Sequence, residues 1–548
     1  MIKKILHRQS KSIFSAALVL VVAGLASRLL GLLRDRLLAG RFGAGDELDI
    51  YFAAFRLPDF IFNILIIGAI SSAFIPIFAT YFHKNKKEAW RLVNGVLNLS
   101  LLFLIVIAGI VVIFAPFLMH LIAPGFSGAK REMTILLTRI MFLSPILLGI
   151  SSIFSGVLQY FHRFLVYSLA PIMYNVGIIL GILFFVPTFG LVGLAWGVVL
   201  GACLHMLIQL PSTIYSGFKW QPIFDIFHKG VRKIIKLMIP RTIGLAGDQL
   251  NFLVITAIAS TLASGSIAVF NLANNLQYVP IGIFGIAFST AVFPNLAKAF
   301  TWRRKKTFSK DLSSTFSQVL FLIIPLSVLF FILRAQIVRV ILGTGAFGWI
   351  DTRLTAAALG IFSISIFAQS LTPLISRAFY AFHNTKTPVL ISLISIGLNI
   401  VFAFFLVWSL SYPNIFSIFF SNILKLGGIK EIAILGLPLA FSLAEIFNFV
   451  VLLNLFAKKI NWWQPKYILK SFLRIASATL LMSFVTYSLL YILNLFLDTH
   501  TFVGIALQGI LAAVGGIIIY CLTMFLFGSP EMKGLVKKIS SGIIFLRK

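Results

Sequence analysis

The sequence has few charged residues, and very few of them are acidic. Only 11% of its 548 residues are charged, and Asp and Glu together number 15, whereas a soluble domain usually carries about 25% charged residues. Hydrophobic residues make up 59% of the chain, and the mean hydropathy is +1.02. A water-soluble fold cannot bury that much apolar surface, and a disordered chain does not contain it. The composition therefore predicts a polytopic membrane protein.

Cysteine and histidine are also scarce. The two cysteines, Cys203 and Cys521, lie inside apolar runs, which argues against a disulfide framework and a metal site. The eight histidines show no ligand spacing, so we expect no metal and no cofactor. An enzyme acting on polyprenyl lipids needs paired carboxylates or a histidine-rich loop, and the outer loops offer only Asp46, Glu47 and Asp49 close together. We therefore expect a transporter rather than an enzyme.

Long apolar runs recur along the whole chain. Windows of roughly 19–25 residues identify about 14 transmembrane helices, and no loop between them is long enough for a soluble domain. The fold class we predict is all-α and polytopic. The predicted spans are 13–38, 50–79, 92–119, 133–158, 165–186, 191–214, 234–262, 268–297, 312–332, 354–379, 389–410, 432–456, 468–495 and 503–527.

The net charge of +31 has two interpretations. In a soluble protein it would indicate nucleic acid binding, which we do not expect here because the basic residues cluster in short loops between apolar spans. With the N-terminus in the cytoplasm, the cytoplasmic segments contain about 29 Lys and Arg and the opposite segments about 6. The positive-inside rule then places both termini in the cytoplasm. A protein of this class is surrounded by membrane lipids, which we expect as its direct binding partners.

The second and eighth spans resemble each other. Residues 72–79 (SAFIPIFA) align with 290–297 (TAVFPNLA), and a basic loop follows each. The copies are six helices apart and point the same way, which predicts a parallel repeat of two six-helix lobes around a central cavity. The predicted domains are an N-terminal lobe (1–218), a C-terminal lobe (219–460) and two extra helices with a basic tail (461–548). Facing lobes are typical of alternating access.

Several spans contain charged or amide side chains although a charge at the bilayer centre costs roughly 2.5–3.5 kcal/mol on insertion scales. Arginines in a membrane cavity favour an anionic ligand such as a phosphate or diphosphate, because guanidinium groups bind phosphate bidentately and stay charged. We therefore expect a polar substrate-binding cavity. The candidate binding residues are Arg28, Arg34, Asp35, Asp49, Arg56, Asp59, Asn63, Arg241, Asn274 and Asn275.

Some of these residues have structural interpretations as well. Arg34 and Asp35 lie near the end of the first span and would also suit interface anchors or an ion pair. Arg56 and Asp59 are one turn apart and would also pair with each other, while Arg241 would also snorkel to the cytoplasmic face. Helix-bending residues near the cavity are candidate gating positions. These are Gly31, Pro58, Pro76, Pro280 and Pro294.

The N-terminal part of the chain carries a recognisable sequence. Residues 26–35 (ASRLLGLLRD), 41–45 (RFGAG) and 49–59 (DIYFAAFRLPD) look like the signature of the MurJ (MviN) family of lipid II flippases, within the multidrug/oligosaccharidyl-lipid/polysaccharide exporter superfamily. Shorter matches at 123–126 (APGF) and 385–388 (TKTP) extend the resemblance over most of the chain.

The resemblance implies the fold of that superfamily and a function. The implied function is to move lipid II, an undecaprenyl-diphosphate-linked disaccharide-pentapeptide, from the inner to the outer leaflet of the bacterial cytoplasmic membrane by alternating access. It also implies contact with the cell-wall synthesis machinery, and coupling to a sodium ion, a proton or the membrane potential. A flippase for another lipid-linked oligosaccharide, of the O-antigen type, and a non-transporting scaffold remain the alternatives.

Carried over residue by residue, the resemblance selects three charged positions. Arg28, Arg34 and Asp49 match charged positions of the family. Other members have one arginine in the second span, about where this chain has Phe62 and Asn63, and one in the eighth span, where this chain has Asn275. Arg56 and Arg241 are candidates to replace them.

Overall fold

The computed structural model describes residues 13–64, 70–429, 431–459 and 465–534, with backbone only for 13–18, 70–73, 239–246, 248 and 465. These residues fold into helices joined by short loops, and no strand occurs among them. The predicted all-α class is confirmed. Packing divides the chain into two compact units, Met1–Ala268 and Val269–Lys548, and the predicted lobe boundaries stay a prediction.

The first unit begins with α1, a helix of 30 residues. Its helices are α1 (Ile13–Phe42), α2 (Asp46–Phe62), α3 (Ile70–Lys84), α4 (Lys86–Ile122), α5 (Gly128–Met141), α6 (Leu143–Tyr160), α7 (Phe164–Leu180), α8 (Val186–Phe189), α9 (Val192–Leu207), α10 (Leu210–Tyr215) and α11 (Lys229–Ser260). A π-helical segment, Gly181–Phe185, connects α7 to α8. The start of α12 (Ser266–Pro280) also belongs to this unit.

The second unit contains the remaining helices. They are the rest of α12, then α13 (Ala287–Thr301), α14 (Lys305–Ile332), α15 (Arg334–Ile341), α16 (Trp349–Ser363), α17 (Ile366–Ala381), α18 (Lys386–Ser411), α19 (Ile415–Ile423), α20 (Gly436–Lys459), α21 (Pro465–Leu493) and α22 (Phe502–Leu526). A second π-helical segment, Ile281–Ile286, separates α12 from α13.

The lengths and apolarity of the helices fit a multi-pass membrane protein. Within the described ranges, ten helices are long and apolar enough to cross a bilayer, and an eleventh span results if α16 and α17, bent by 42°, count as one. Helices also occupy the other three predicted spans: α1, the pair α2 and α3, and α11. The exact number of fourteen stays a prediction.

Small residues let helices of the first unit approach closely. A Cβ atom added to Gly177 would lie 2.3 Å from the Cα of Gly201, and one added to Gly181 would lie 2.4 Å from the Cα of Gly197. Only glycine fits at such distances, and stripes of small residues are how helices associate in a membrane. This contact places α7, which carries Asn175, firmly against α9.

An aromatic contact recurs in both units. Phe82 packs edge-to-face on Phe161 with ring centroids 5.2 Å apart, and Phe300 packs in the same way on Phe382 at 4.7 Å. His162 and His383, next to these rings, both adopt positive φ angles, 55° and 56°. The alignment that pairs residues 72–79 with 290–297 also pairs Phe82 with Phe300. The two copies therefore share loop geometry as well as sequence.

Candidate functional site

The first functional group is an arginine on α1 that an acid and an amide hold in place. The Nε and Nη2 atoms of Arg34 donate to Oδ1 of Asp35 at 3.0 and 2.8 Å. Its Nη1 donates to Oδ1 of Asn175 on α7 at 3.3 Å, and Asn175 in turn donates to the carbonyl oxygen of Ser27 at 3.3 Å. The side chain of Arg34 remains 22% exposed, whereas that of Asp35 is 4% exposed. The guanidinium is thus oriented by its partners, while part of the Arg34 side chain stays exposed.

Arg28 and Gly31 lie nearby on α1. Arg28 is partly exposed, and it lies about 21 Å from the end of α1 at Phe42, because each helical residue advances 1.5 Å. A Cβ added to Gly31 would meet Oδ1 of Asn175 at 3.9 Å, an ordinary contact. The structure therefore shows no steric requirement for glycine at position 31, and its gating role stays a prediction.

A second arginine lies on α2. Nε of Arg56 donates to Oγ1 of Thr256 on α11 at 2.8 Å, and the guanidinium lies 5.4 Å from the ring centre of Phe252. Asp59, one turn further along α2, experiences the positive charges of both Arg56 and Arg34. The structure therefore brings Arg34, Asp35, Arg56 and Asp59, all predicted from the sequence, into one electrostatic group, which we call the charged group. Asn63 lies half-buried at the end of α2.

Asp49 occupies a different place, at the start of α2. Its carboxylate, in a residue only 1% exposed, accepts hydrogen bonds from the backbone N–H groups of Gly265 at 2.8 Å and Ala268 at 2.9 Å. Nζ of Lys130 lies 3.5 Å from it. A buried carboxylate with such partners caps the first turn of α12. The structure thus gives Asp49 a structural contact, and its predicted role towards the substrate stays a prediction.

Close backbone packing surrounds the Asp49 contact. Gly265 has a φ of +85°, and a Cβ there would lie 1.7 Å from the carbonyl oxygen of Ala44, so only glycine fits. The N–H of Gly125 donates to Oγ of Ser260 at 3.1 Å. We call the contacts of Asp49 with the α11–α12 loop, together with this hydrogen bond, the α12 latch.

In the second unit, amides replace charges. Nε2 of Gln277, a fully buried residue, donates to Oδ1 of Asn274 at 2.9 Å, and Nε2 of Gln369 on α17 donates to Oε1 of Gln277 at 3.0 Å. Gln369 also donates to Oγ of Ser365 at 2.9 Å, and Ser365 donates to Oγ of Ser442 at 3.1 Å. This amide network leads from predicted site residue Asn274 to the bend between α16 and α17. Asn275 is partly buried.

The π-helical segment Ile281–Ile286 is held by an arginine that the sequence analysis did not select. Nη1 of Arg377 on α17 donates to the carbonyl oxygen of Ile286 at 3.3 Å and to Oγ of Ser289. A Cβ added to Gly285 would lie 2.6 Å from the Cα of Ser370. Arg377 therefore stabilises the end of the π-helical segment that follows Pro280.

The proline positions differ in their surroundings. Pro58 and Pro280 are buried, while Pro76 and Pro294 are exposed. Pro280 directly precedes a π-helical segment. Because proline has no backbone N–H, it cannot donate the helical hydrogen bond of its own position. The side chain of Arg241, a predicted site residue, lies outside the described residues.

Several partners of the site were missed from the sequence. Asn175, Thr256 and Lys130 carry no motif that distinguishes them from other polar residues. Arg377 did carry a signal, because it is a charge inside the predicted span 354–379. Gln369 lies in the same span and was identifiable only through its partner Gln277.

Arginines oriented by acids and amides, in a helical protein with many long apolar helices and π-helical interruptions, are typical of a multi-pass membrane transporter. The family model described as lipid II flippase MurJ matches residues 38–508. The chain therefore belongs to the MurJ family, which is a family of flippases and not of enzymes.

Relatives and solved structures agree with this assignment. The probable lipid II flippase of Buchnera aphidicola subsp. Acyrthosiphon pisum is 31% identical over 396 residues, which is 71% of this chain and 78% of the relative. That of Buchnera aphidicola subsp. Baizongia pistaciae is 29% identical over 531 residues, 94% of this chain and 97% of the relative.

The structural comparisons show the same fold. A lipid II flippase MurJ in an inward closed conformation has a TM-score of 0.75 and 26% identity, covering 93% of this chain and 98% of that chain. An inward-facing multidrug resistance MATE family transporter of the MOP superfamily has a TM-score of 0.65 at 13% identity, covering 79% and 94%, and shows the fold alone.

Proposed function

We propose that this chain moves lipid II from the inner to the outer leaflet of the bacterial cytoplasmic membrane. Membership of the MurJ family and the similarity to lipid II flippases support lipid II transport. The observation that carries the proposal is Arg34, whose guanidinium is held by Asp35 and Asn175 while its side chain stays 22% exposed. Such a cation on a membrane helix suits an anion that arrives and leaves.

The charged group provides the chemistry for a diphosphate. In the empty protein Asp35 and Asp59 offset the charges of Arg34 and Arg56, which makes two guanidiniums tolerable inside the membrane. A diphosphate carries more negative charge than either carboxylate and accepts bidentate hydrogen bonds from guanidinium groups. On arrival it would draw Arg34 and Arg56 towards itself, and Arg28 would add a further positive charge.

Transport requires that the site opens alternately to the two leaflets. We propose that both termini are cytoplasmic, because the basic loops then lie on the cytoplasmic side. The α12 latch would hold the outer side closed while lipid II binds, and its hydrogen bonds would break for release. An inside-negative potential would help to return the empty cationic site, at about 2.3 kcal/mol per charge per 100 mV.

Lipid II flipping in proteoliposomes tests the proposal directly. The full chain is reconstituted with lipid II, and the fraction reaching the outer leaflet is followed over time. We expect flipping by the parent chain and at least a tenfold slower rate for Arg28→Ala. The matched control is Arg139→Ala, because Arg139 is an exposed arginine in a spanning helix that donates only to the carbonyl oxygen of Val112 at 3.0 Å.

Complementation separates the alternatives. A strain depleted of its own lipid II flippase should grow when it expresses this chain. Growth failure, together with flipping of an O-antigen-type lipid in proteoliposomes, would assign a different lipid-linked oligosaccharide. If the chain flips neither lipid, the non-transporting scaffold is the alternative that remains. If Arg28→Ala flips lipid II at the parent rate, the proposed role of Arg28 in substrate binding is wrong.

A further inference from the structure

A cavity in the second unit is lined by none of the residues of the amide network. It has a volume of about 700 Å³ and lies where α17 ends, α18 begins and α20 ends. Its lining combines positive, polar and apolar side chains. The lining residues are Phe379, Asn384, Lys386, Thr387, Leu390, Ile391, Leu455 and Lys459.

The two lysines of this cavity lack an acidic partner within the part of the chain that the structure describes. Neither Lys386 nor Lys459 forms an ion pair with any residue that the structure describes. The sequence also contains no Asp or Glu in residues 376–396 or 446–470, which are the segments that form and flank the cavity. Two like charges facing one cavity favour an anion between them.

A hydroxyl group adds a hydrogen-bond donor beside the lysines. Nδ2 of Asn384 donates to Oγ1 of Thr387 at 2.9 Å, and the N–H of Thr387 donates to Oδ1 of Asn384 at 3.1 Å. These bonds fix the position of Thr387. Its hydroxyl oxygen acts there as an acceptor, so the hydroxyl proton remains to donate to a ligand.

The apolar side of the cavity shows what kind of anion fits. Leu390 is 59% exposed and Leu455 is 38% exposed, and both lie on helices long and apolar enough to span a bilayer. Phe379 and Ile391, in contrast, are buried and close the inner wall. A ligand with a charged head at the lysines would therefore lay an apolar tail along the lipid-facing leucines.

We propose that this cavity binds the headgroup of an anionic bilayer phospholipid, with the phosphate between Lys386 and Lys459 and an acyl chain against Leu390 and Leu455. Anionic lipids are concentrated in the cytoplasmic leaflet, and basic residues at the ends of membrane helices attract them. The site does not depend on lipid II transport. It would tie the short loop between α17 and α18 to the membrane surface.

Native mass spectrometry of the full chain in detergent tests the site. Dioleoylphosphatidylglycerol and dioleoylphosphatidylcholine are titrated separately, and the Kd of the first bound lipid is measured. We expect phosphatidylglycerol to bind at least about fivefold more tightly than phosphatidylcholine. The double variant K386Q/K459Q should weaken phosphatidylglycerol binding by about fivefold or more, with little effect on phosphatidylcholine.

The matched control removes the same charge elsewhere. K305Q/K306Q neutralises two lysines at the start of α14 in the same unit and should change the Kd by less than twofold. Equal weakening in both double variants would show general attraction to positive charge and overturn the proposal, as would equal affinity for the two lipids.

Two further measurements identify the occupant. The variant Leu390→Asn should weaken phosphatidylglycerol binding, and the melting temperature of each variant checks that the chain is folded. Inorganic phosphate that displaces phosphatidylglycerol at equal concentration would assign a free anion to the cavity. Lipid II that does so would assign the transport substrate, and either result would overturn the proposal.

Discussion

The two copies of the repeated span, α2 with α3 and α12 with α13, have similar backbones and different chemistry. In the first copy, α2 ends in a π-helical turn at Asn63, and in the second the π-helical segment begins at Ile281. The alignment that pairs Pro76 with Pro294 pairs these two positions as well. However, the first copy carries Arg56 and Asp59, while α12 has no charged residue and carries four amide side chains instead, Asn271, Asn274, Asn275 and Gln277.

We expect this difference to give the two copies different roles: the first binds the substrate, and the second holds helices in place. The charged group, in which Arg34 and Asp35 on α1 join Arg56 and Asp59 on α2, has two guanidinium groups that can bind a diphosphate bidentately. The second copy uses Gln277 and its amide partners to connect α12 to the bend between α16 and α17, and Arg377 to hold the π-helical segment. We therefore expect substrate affinity to depend on the first copy and rigidity on the second.

The largest expected effect is on affinity. Arg34→Ala should weaken lipid II binding by at least about 30-fold, because truncating one partner of a buried charge contact costs about 2–5 kcal/mol. Asn274→Ala, in the second copy, should change the affinity by less than about threefold. Both are measured as lipid II Kd values of the purified chain.

Loss of Arg34 also leaves Asp35 buried without its main partner. The variant R34A/D35N removes this penalty and restores the melting temperature. If the double variant recovers lipid II binding too, Arg34 only neutralises Asp35. If binding stays weak, the guanidinium contacts the substrate.

The second effect concerns the α12 latch, where an acid of the first copy caps the first turn of α12. Asp49→Ala should destabilise the chain by about 2–4 kcal/mol, because two backbone N–H groups and Lys130 lose their acceptor. The melting temperature should fall by about 4–8 °C. Glu47→Gln is the control, since Glu47 is exposed on the same turn, and an equal loss there would contradict the assignment.

Sequence reasoning predicted the fold class and the first-copy charges for a physical reason. Charges are rare in bilayer helices, so Arg34, Asp35, Arg56 and Asp59 stand out, and the structure brings them together. Asn175 and Thr256 orient those arginines from α7 and α11, but polar uncharged residues are common in helices and nothing in the local sequence identifies their partners. The hydrogen bonds that Asp49 accepts from the N–H groups of Gly265 and Ala268 could not be predicted, because the sequence shows the charge of Asp49 and not its backbone partners.

The third effect concerns the second copy. Gly285→Ala should destabilise the chain by about 1–3 kcal/mol, because the new Cβ would lie 2.6 Å from the Cα of Ser370 and overpacking strains the contact. The expected fall in melting temperature is about 2–6 °C, with an unchanged Kd for lipid II. Gly397→Ala is the matched control: no atom lies within 4 Å of its added Cβ, so it should be neutral or stabilising. A weaker Kd in Gly285→Ala would contradict the separation of binding from bracing.

The smallest effect distinguishes the two acids that share Lys130. Asp46, the first residue of α2, precedes the predicted span 50–79 and lies 2.5 Å from Nζ of Lys130, with a side chain that is 58% exposed. Hydrogen bonds from Lys130 and then Ser264 lower the pKa of Asp46 below its usual value of 3.8. A lowered pKa contributes stability above about pH 4 that is lost as the pH falls through the folded-state pKa.

Because exposed ion pairs contribute only about 0–1 kcal/mol, Asp46→Asn should lower the melting temperature at pH 7 by about 2 °C at most. The difference from the parent chain should disappear as the pH of the melts falls below the folded-state pKa of Asp46. A loss as large as that of Asp49→Ala would mean that Lys130 is held mainly by Asp46, and that the buried carboxylate of Asp49 is not the centre of the latch.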